Sequence, residues 1–347
     1  MSLEILLDKT EEELSKIAVA MGQPAFRGKQ IFKWLYNGVD LAAMSDLPLS
    51  FRAELAKKYT AQPLVIHEKF VSKDGSIKFL YRYADGNLIE GVFMPHDYGN
   101  TLCVSTQVGC RMGCAFCASG IGGLVRNLSA GEIVAQAVAV NAYLGGNASD
   151  RKISNIVLMG SGEPLDNYDN VTKFLRLISH KNGLCIGLRS VSLSTCGLAE
   201  NIRRLADENY GVTLSLSLHA TTDEARAQLM PIAKRYTLKE VTDAVKYYFE
   251  KTGRRVIFEY AMVKDRNMSM FDAKRLRELT RGYPAHVNLI RLNYVKEKGL
   301  QGCTEAEAQR FLQRLTDLGV SATLRRSFGN DVGGACGQLR RKFLHDR

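Results

Sequence analysis

The chain has 347 residues, of which 46% are hydrophobic, and this length supports one large domain together with a smaller one. No apolar run reaches the length of a membrane span and the start of the chain lacks a signal-peptide pattern, so we expect a cytoplasmic protein without membrane contact. The formal net charge of +11 fits either a protein with a polyanionic partner or a merely basic protein. Three of the eight cysteines are clustered, which is not the pattern of a secreted protein held by disulfides.

The first part of the chain is predicted to be helical, from about residue 8 to residue 60. Thr10 followed by Glu13 fits a capping box at the start of one helix, and Pro24 separates it from a second. The second helix is expected to carry inward Ile31, Phe32, Trp34 and Leu35. Alternating segments then predict a β-meander, with strands at 65–71, 77–83 and 88–94 separated by turns at Gly75 and Gly86.

From Thr101 onward, strand-like and helix-like segments alternate. Strands are predicted at 101–107, 153–159, 191–195, 212–218, 255–262, 286–292 and 321–326. Helices are predicted between them at 129–145, 168–180, 198–208, 237–252, 270–281 and 304–318. This alternation implies right-handed βαβ units and a parallel sheet. Six or seven units fall short of an eightfold barrel, so we expect an α/β fold with a partial (β/α)6-type TIM barrel and ligands at the carboxyl ends of its strands.

Three cysteines, Cys110, Cys114 and Cys117, follow the first barrel strand with gaps of three and then two residues. A compact loop with this spacing can direct three thiolates to three irons of a cubane iron–sulfur cluster. The fourth iron then remains open to bind the amino and carboxylate groups of S-adenosylmethionine. A zinc site lacking one ligand, or buried thiols without a metal, are the alternatives.

Polar residues lie at the predicted ends of several other barrel strands. Each of them taken singly is more often a turn or core residue, but together on one rim they predict a binding site. Glu163 in particular could accept a hydrogen bond from the amino group of the methionine. The residues are Gly162, Glu163, Ser194, Ser217, Leu218, His219 and Asn293.

The cysteine triplet with Phe116, the Gly162-Glu163-Pro164 loop, the Ser217-Leu218-His219 strand end and the closing segment 335–339 together resemble the RlmN/Cfr family of radical-SAM RNA methyltransferases. The resemblance covers nearly the whole chain. It implies a [4Fe–4S] cluster, two S-adenosylmethionine molecules per turnover and an electron donor such as flavodoxin or ferredoxin. It also implies 23S rRNA and tRNA as partners, and we expect a monomer.

The resemblance also implies roles for three further residues. Cys336 would be methylated by one S-adenosylmethionine and would then lose a hydrogen to the radical formed from the second. The resulting carbon radical would add to adenine, Glu90 would accept the proton of the attacked carbon, and Cys103 would attack the sulfur of Cys336, leaving a transient disulfide. Each cysteine taken singly is more often a small buried hydrophobe, and a carboxylate at a strand end is often just solvated.

The predicted division of the chain follows from these assignments. We expect a helical accessory RNA-binding domain at 1–62, a β-meander extension at 63–97, the radical-SAM partial barrel at 98–327 and a tail with the methyl-accepting cysteine at 328–347. Basic residues concentrate in the stretches 27–58 and 325–347. Their surplus charge favours a polyanion.

Two regiochemical outcomes are compatible with the pattern. The segments 26–31 and 122–128 resemble RlmN-type chains, which methylate carbon 2 of adenine in the peptidyl-transferase region of 23S rRNA and in tRNA beside the anticodon. Arg291, Phe328-Gly329 and Gly334 instead resemble Cfr-type chains, which methylate carbon 8 and confer antibiotic resistance. We expect carbon 2. A radical enzyme acting on a protein or small molecule, and a non-catalytic RNA-binding protein with a structural metal, are the alternatives from other classes.

Overall fold

A computed structural model describes residues 3–339, and the first of them form the helical part of the chain. Thr10 and Glu13 make the predicted capping box, in which each side chain accepts a hydrogen bond from the other residue's backbone N–H. Of the four apolar residues predicted to face inward from the second helix, three are buried, whereas Trp34 is half-buried and its indole N–H donates to Asp46. The elements are β1 (Glu4–Ile5), α1 (Glu11–Ala20), α2 (Arg27–Tyr36), α3 (Leu49–Ala56) and β2 (Tyr59–Thr60), and β1 pairs with β2 in parallel.

The predicted meander is present as three antiparallel strands, β3 (Leu64–Val71), β4 (Ile77–Tyr83) and β5 (Leu88–Met94). Both turns use glycine at positive φ, with 84° at Gly75 and 81° at Gly86. An aspartate stabilises each turn, since Asp74 accepts the N–H of Ser76 and Asp85 accepts that of Asn87, each at 2.9 Å.

The barrel strands and helices follow the predicted alternation, and the strand β8 and the helix α7 are additions that the sequence pattern did not indicate. They are β6 (Thr101–Cys103), β7 (Gln107–Gly109), β8 (Leu124–Asn127), α4 (Ala130–Tyr143), β9 (Asn155–Leu158), α5 (Tyr168–Ile178), β10 (Val191–Thr195), α6 (Ala199–Glu208), β11 (Thr213–Ser217), α7 (Asp223–Leu229), α8 (Leu238–Thr252), β12 (Val256–Met262), α9 (Met270–Leu279), β13 (Ala285–Arg291), α10 (Glu305–Asp317) and β14 (Ala322–Leu324).

Meander and barrel share one sheet, whose strand order within residues 3–339 is β14-β13-β12-β11-β10-β9-β6-β5-β4-β3. In this sheet β6 and the strands β9 to β14 pair in parallel, and β5 joins them by an antiparallel ladder to β6. The predicted α/β class is confirmed, and this order is consistent with a partial barrel. Because the hydrogen-bonded sheet continues from the barrel into the meander, β5 lies beside β6, the strand that precedes the cysteine loop.

The first barrel strand is shorter than predicted because a side chain takes over its hydrogen bonds. The backbone N–H of Ser105 donates to the Gln136 amide oxygen at 2.9 Å, and the Gln136 amide nitrogen donates to the Ser105 carbonyl at 2.8 Å. The strand therefore stops at Cys103 and the chain resumes as β7, which pairs with β8. This interruption turns the chain toward the cysteine loop.

The two faces of the β4–β5–β6 sheet belong to different apolar clusters. Phe79, Tyr81 and Leu102 face the main core, which also contains the buried side chains of α1 and α2. The other face carries Val92 and Cys103, which pack with Leu339 and neighbours in a separate cluster. Within residues 3–339, none of the helices combines the length and the apolar character required to span a membrane.

Candidate active site

The cysteine loop is held by backbone hydrogen bonds to two distant segments. The N–H of Ala115 donates to the Leu229 carbonyl at the end of α7, at 2.8 Å. The N–H of Ala118 donates to the carbonyl of Gly337 in the tail, at 2.7 Å. The tail therefore contacts the loop directly, one residue after Cys336.

The three cysteines of the triplet line one cavity of about 160 Å³. Met112, Phe116, Leu158 and Met230 supply apolar walls to the same cavity. Burial raises the pKa of Cys110 to about 12 and raises that of Cys114 further above its ordinary value. Such thiols stay protonated until a metal displaces the proton.

This donor set fits an iron–sulfur cluster. Within the described part of the chain, no three His, Cys, Asp or Glu side chains converge closely enough to hold a single metal ion. A cubane makes a different demand, since each thiolate binds its own iron atom. Cys110, Cys114 and Cys117 meet that demand with three thiols on a common cavity.

Glu163 is buried in the wall of the same cavity, and its carboxylate is oriented by backbone groups. One carboxylate oxygen accepts the N–H of Leu165 at 3.0 Å and the other accepts that of Cys196 at 2.8 Å. Burial raises the pKa of Glu163, and these hydrogen bonds oppose the rise. Gly162 has φ of 108°, and a Cβ there would lie 2.6 Å from the Cβ of Gln107, so this approach requires glycine.

Most of the predicted rim residues meet at this cavity. Ser194, Ser217, His219 and Asn293 line it together with Gly162 and Glu163. Leu218 is fully buried and is not among the lining residues. The His219 imidazole accepts the N–H of Ala261 at 2.9 Å and contacts the Phe116 ring edge-on at 4.6 Å. Burial lowers the pKa of His219 to about 3, so its ring is neutral at physiological pH.

Cys336 is exposed and lines both this cavity and an adjoining one of about 230 Å³. Cys103 lines the adjoining cavity and is buried. Burial raises the pKa of the Cys103 thiol to about 12. The Asn293 amide donates to the Cys336 carbonyl at 3.2 Å, which connects the strand end to the tail. The structure thus brings the two cysteines of the predicted disulfide to one cavity.

Arg325, Glu259 and Met159 are site residues that the sequence did not single out for a role in chemistry. The Arg325 guanidinium is 3.5 Å from both the Glu259 carboxylate and the Met159 sulfur. The nearby Cys336 thiol and Glu259 raise the pKa of Arg325, so the guanidinium stays charged beside both cysteines. Arg325 directly follows β14, and its place after a barrel strand is the signal that could have marked it.

Glu90 lies on the same face of the sheet as Cys103, but it is not among the residues that line these two cavities. It is buried and forms an ion pair with Lys78 of β4, with the ammonium nitrogen 3.3 Å from the carboxylate. Lys78 was not predicted, because a lysine within an alternating strand resembles a solvent-facing residue. The basic residues after Leu339 lie outside the described residues.

The comparisons with known proteins agree along the whole chain. A family model described as the ribosomal RNA large subunit methyltransferase N-terminal domain matches residues 5–60, and the radical SAM superfamily model matches residues 104–275. A relative from Clostridium acetobutylicum, named probable dual-specificity RNA methyltransferase RlmN, is 47% identical over 99% of both chains. A relative of the same name from Clostridium perfringens strain 13 is 48% identical over 99% of this chain and 98% of its own.

This chain is similar in structure to a solved protein, a radical SAM methyltransferase from Sphaerobacter thermophilus. It is 42% identical, with a TM-score of 0.93 over 97% of this chain and 99% of that one. Identity near one half over full length, two matching family models and the cysteine loop at the carboxyl end of a barrel strand lead to one conclusion. This chain belongs to the RlmN family of radical SAM methyltransferases.

Proposed function

We propose that this protein methylates carbon 2 of adenine in the peptidyl-transferase region of 23S rRNA and in tRNA, at the adenosine 3′ of the anticodon. The name of the relatives, probable dual-specificity RNA methyltransferase, supports two RNA substrates. The observation that carries the proposal is the position of Cys336. This exposed thiol lines both the cavity of the three clustered cysteines and the cavity that contains Cys103.

We assign the cofactor sites to the residues on the first cavity. A [4Fe–4S] cluster on Cys110, Cys114 and Cys117 supplies, when bound, the electron for reductive cleavage of S-adenosylmethionine, and a flavodoxin or ferredoxin is the proposed donor. The Glu163 carboxylate suits the amino group of the methionine, because backbone N–H groups already hold its orientation. The remaining proposed binding residues on this cavity are Gly162, Ser194, Ser217, His219 and Asn293. Leu218 does not line the cavity, and its proposed role is supported only by its place between Ser217 and His219.

Cys336 is proposed to carry the methyl group and to link transiently to the base. The Cys103 thiolate then attacks the Cys336 sulfur, so that an S–S bond forms as the bond between that sulfur and the transferred carbon breaks. The carbon keeps the electron pair and takes up a proton, which leaves a methyl group on the base and a disulfide between the two cysteines. Because burial disfavours this thiolate, the positive charge of Arg325 near both sulfurs lowers the cost of forming it. Glu90 is the proposed acceptor of the proton from the ring carbon, and Lys78 holds its carboxylate in place.

The parts of the chain have separate proposed tasks. The helical accessory domain at 1–62 holds the folded RNA, and the meander at 63–97 contributes Glu90 to the face on which Cys103 lies. The barrel at 98–327 holds the cofactors, and the tail from residue 328 carries Cys336. Extruding a stacked adenine costs a few kcal/mol, which contacts with the accessory domain offset.

Nucleoside mass spectrometry tests the proposal. The reconstituted protein is incubated anaerobically with S-adenosylmethionine, a reductant and a 23S rRNA fragment from a methylation-deficient host. We expect 2-methyladenosine, and tRNA is tested in the same way. A peak of 8-methyladenosine would overturn the regiochemistry in favour of the Cfr-type reaction.

A matched pair of variants tests the cysteine roles. Cys336→Ala should abolish base methylation, because no thiol is left to carry the methyl group. Cys303→Ala should retain it, since Cys303 lines the same cavity as Cys103 and Cys336 but has no proposed role. Full activity of Cys336→Ala, or loss of activity in Cys303→Ala alone, would contradict the assignment.

A further inference from the structure

A third cavity opens from the site toward the amino-terminal ends of the barrel strands. Its volume is about 610 Å³, and it shares Met159 and Arg325 with both cavities described above. It also shares Arg326 and Phe328 with the cavity that contains Cys103. We call this third cavity the groove; it adjoins the cavity that Cys103 and Cys336 line.

Aromatic rings in mutual contact form one side of this groove. The rings of His96 and Tyr98 are stacked, with centroids 4.6 Å apart and planes 14° apart. Phe328 meets His96 edge-on at 4.7 Å. Tyr98 is 78% exposed, so its outer face is open to a further flat ring. We call His96, Tyr98 and Phe328 the aromatic rim.

Positive charge surrounds the aromatic rim. Arg189 and Arg326 line the groove and are exposed, and neither is among the ion pairs found within residues 3–339. The Arg326 guanidinium lies 5.0 Å from the centroid of the Phe328 ring. Burial and the charges of Arg326 and Arg325 lower the pKa of His96, so its ring is a neutral stacking surface. The acidic residues that line the groove are Asp97 and Glu259, and Glu259 is paired with Arg325.

We propose that the aromatic rim and the two exposed arginines bind the unpaired nucleotides next to the target adenine. Aromatic faces stack on bases of any sequence, and guanidinium groups neutralise phosphates, which is the combination that binds single-stranded nucleic acid. The groove adjoins the cavity of Cys103, and in this proposal the next base of a strand stacked on the rim is directed toward the cysteines. This inference rests on the proposed function and identifies where the RNA enters.

Fluorescence anisotropy with an unpaired-loop RNA hairpin tests the stacking surface. Tyr98→Ala should weaken binding by about 5- to 140-fold, the loss associated with one stacked base. Tyr98→Phe should bind like the unmodified protein, because it retains the ring. The matched control is Phe271→Ala, an exposed aromatic on α9 that should leave binding unchanged. Equal binding by Tyr98→Ala and Phe271→Ala would overturn the inference.

The salt dependence of binding tests the arginines. Arg326→Ala should reduce the slope of log K against log salt by about 0.7 to 0.9, corresponding to one phosphate contact. Arg326→Lys should restore the slope, and Arg277→Ala on α9 is the control that should not change it. An unchanged slope in Arg326→Ala would contradict the proposed contact.

The methylation assay separates the two proposals. If the unmodified protein forms methyladenosine and Tyr98→Ala binds RNA equally well, this inference fails while the proposed function stands. If the unmodified protein forms no methylated adenine, the proposed function fails, whatever the variants show.

Discussion

Cys103 and Cys336 share a cavity, but they lie in unlike surroundings. Burial holds the pKa of Cys103 at about 12, whereas Cys336 is exposed in the tail. Only the thiolate reacts with iodoacetamide, so the rate at Cys103 should rise continuously as pH increases from 8 toward 12. Exposed Cys185 serves as the control and should react readily at pH 8. Peptide mass spectrometry of the cluster-loaded protein measures each rate, and equal rates at Cys103 and Cys185 would contradict the burial of the thiol.

The raised pKa of Cys103 also makes the stability of the fold depend on pH. Its unfolded thiol ionises near pH 9, whereas the folded thiol resists ionisation until about pH 12. The unfolded chain therefore loses this proton first, so the contribution of Cys103 to stability is constant below about pH 9 and declines as pH rises to 12.

Single residues differ in how far the sequence could predict them. The spacing of Cys110, Cys114 and Cys117 is local, so the cluster loop could be predicted from a few adjacent residues. The Lys78–Glu90 ion pair and the contact of Arg325 with Glu259 join separate strands. Their partners depend on which strands are neighbours in the sheet, and that pairing is not present in any local pattern.

The tail that carries Cys336 is docked on the turn between β3 and β4. The Asp331 carboxylate accepts the Ser72 hydroxyl at 2.5 Å and the Lys73 N–H at 3.1 Å. In return, Asp74 accepts the N–H of Gly329 at 2.9 Å. Asp331→Ala should therefore increase hydrogen exchange in the segment 329–337, because both of its bonds are lost. Mass spectrometry of amide exchange measures this change.

The control variant is Asp85→Ala, which alters the neighbouring turn without touching the tail. Equal exchange of segment 329–337 in both variants would contradict the docking role. Hydrogen bonding lowers the pKa of Asp331. Burial raises the pKa of Asp74, but the hydrogen bonds that its carboxylate accepts outweigh burial and lower this pKa to about 2. The docking should thus be intact above about pH 4 and weaken as pH falls toward 2.

Elements were predicted well where the pattern is local. The two turns at Gly75 and Gly86 place aspartate and glycine together, which suffices to position the meander strands. The end of β6 at Cys103 could not be predicted, because it depends on Gln136 of α4 replacing a neighbouring strand. The helix α7 has only 7 residues, which is too short for a periodic apolar pattern to be recognised in the sequence.

At the scale of the whole molecule, the accessory helices and the barrel share a continuous apolar core. Leu7, Phe32 and Tyr36 belong to the same buried cluster as Phe174 of α5. The Tyr36 hydroxyl donates to the Leu177 carbonyl at 3.1 Å, and Asp8 accepts the N–H of Gly131 at 2.5 Å. The domain boundary proposed near residue 62 therefore separates tasks, while the two parts depend on each other for burial.

This shared core predicts that the two parts unfold together. Trp34 is the single tryptophan and lies in α2, so its fluorescence reports on the accessory helices. Phe174→Ala changes a fully buried residue of the barrel and should cost about 3–5 kcal/mol. In a urea titration, the Trp34 midpoint should fall together with the midpoint seen by circular dichroism, since loss of the barrel exposes the faces of α1 and α2. A Trp34 transition that stayed at its original midpoint would show that the accessory helices are stable without the barrel.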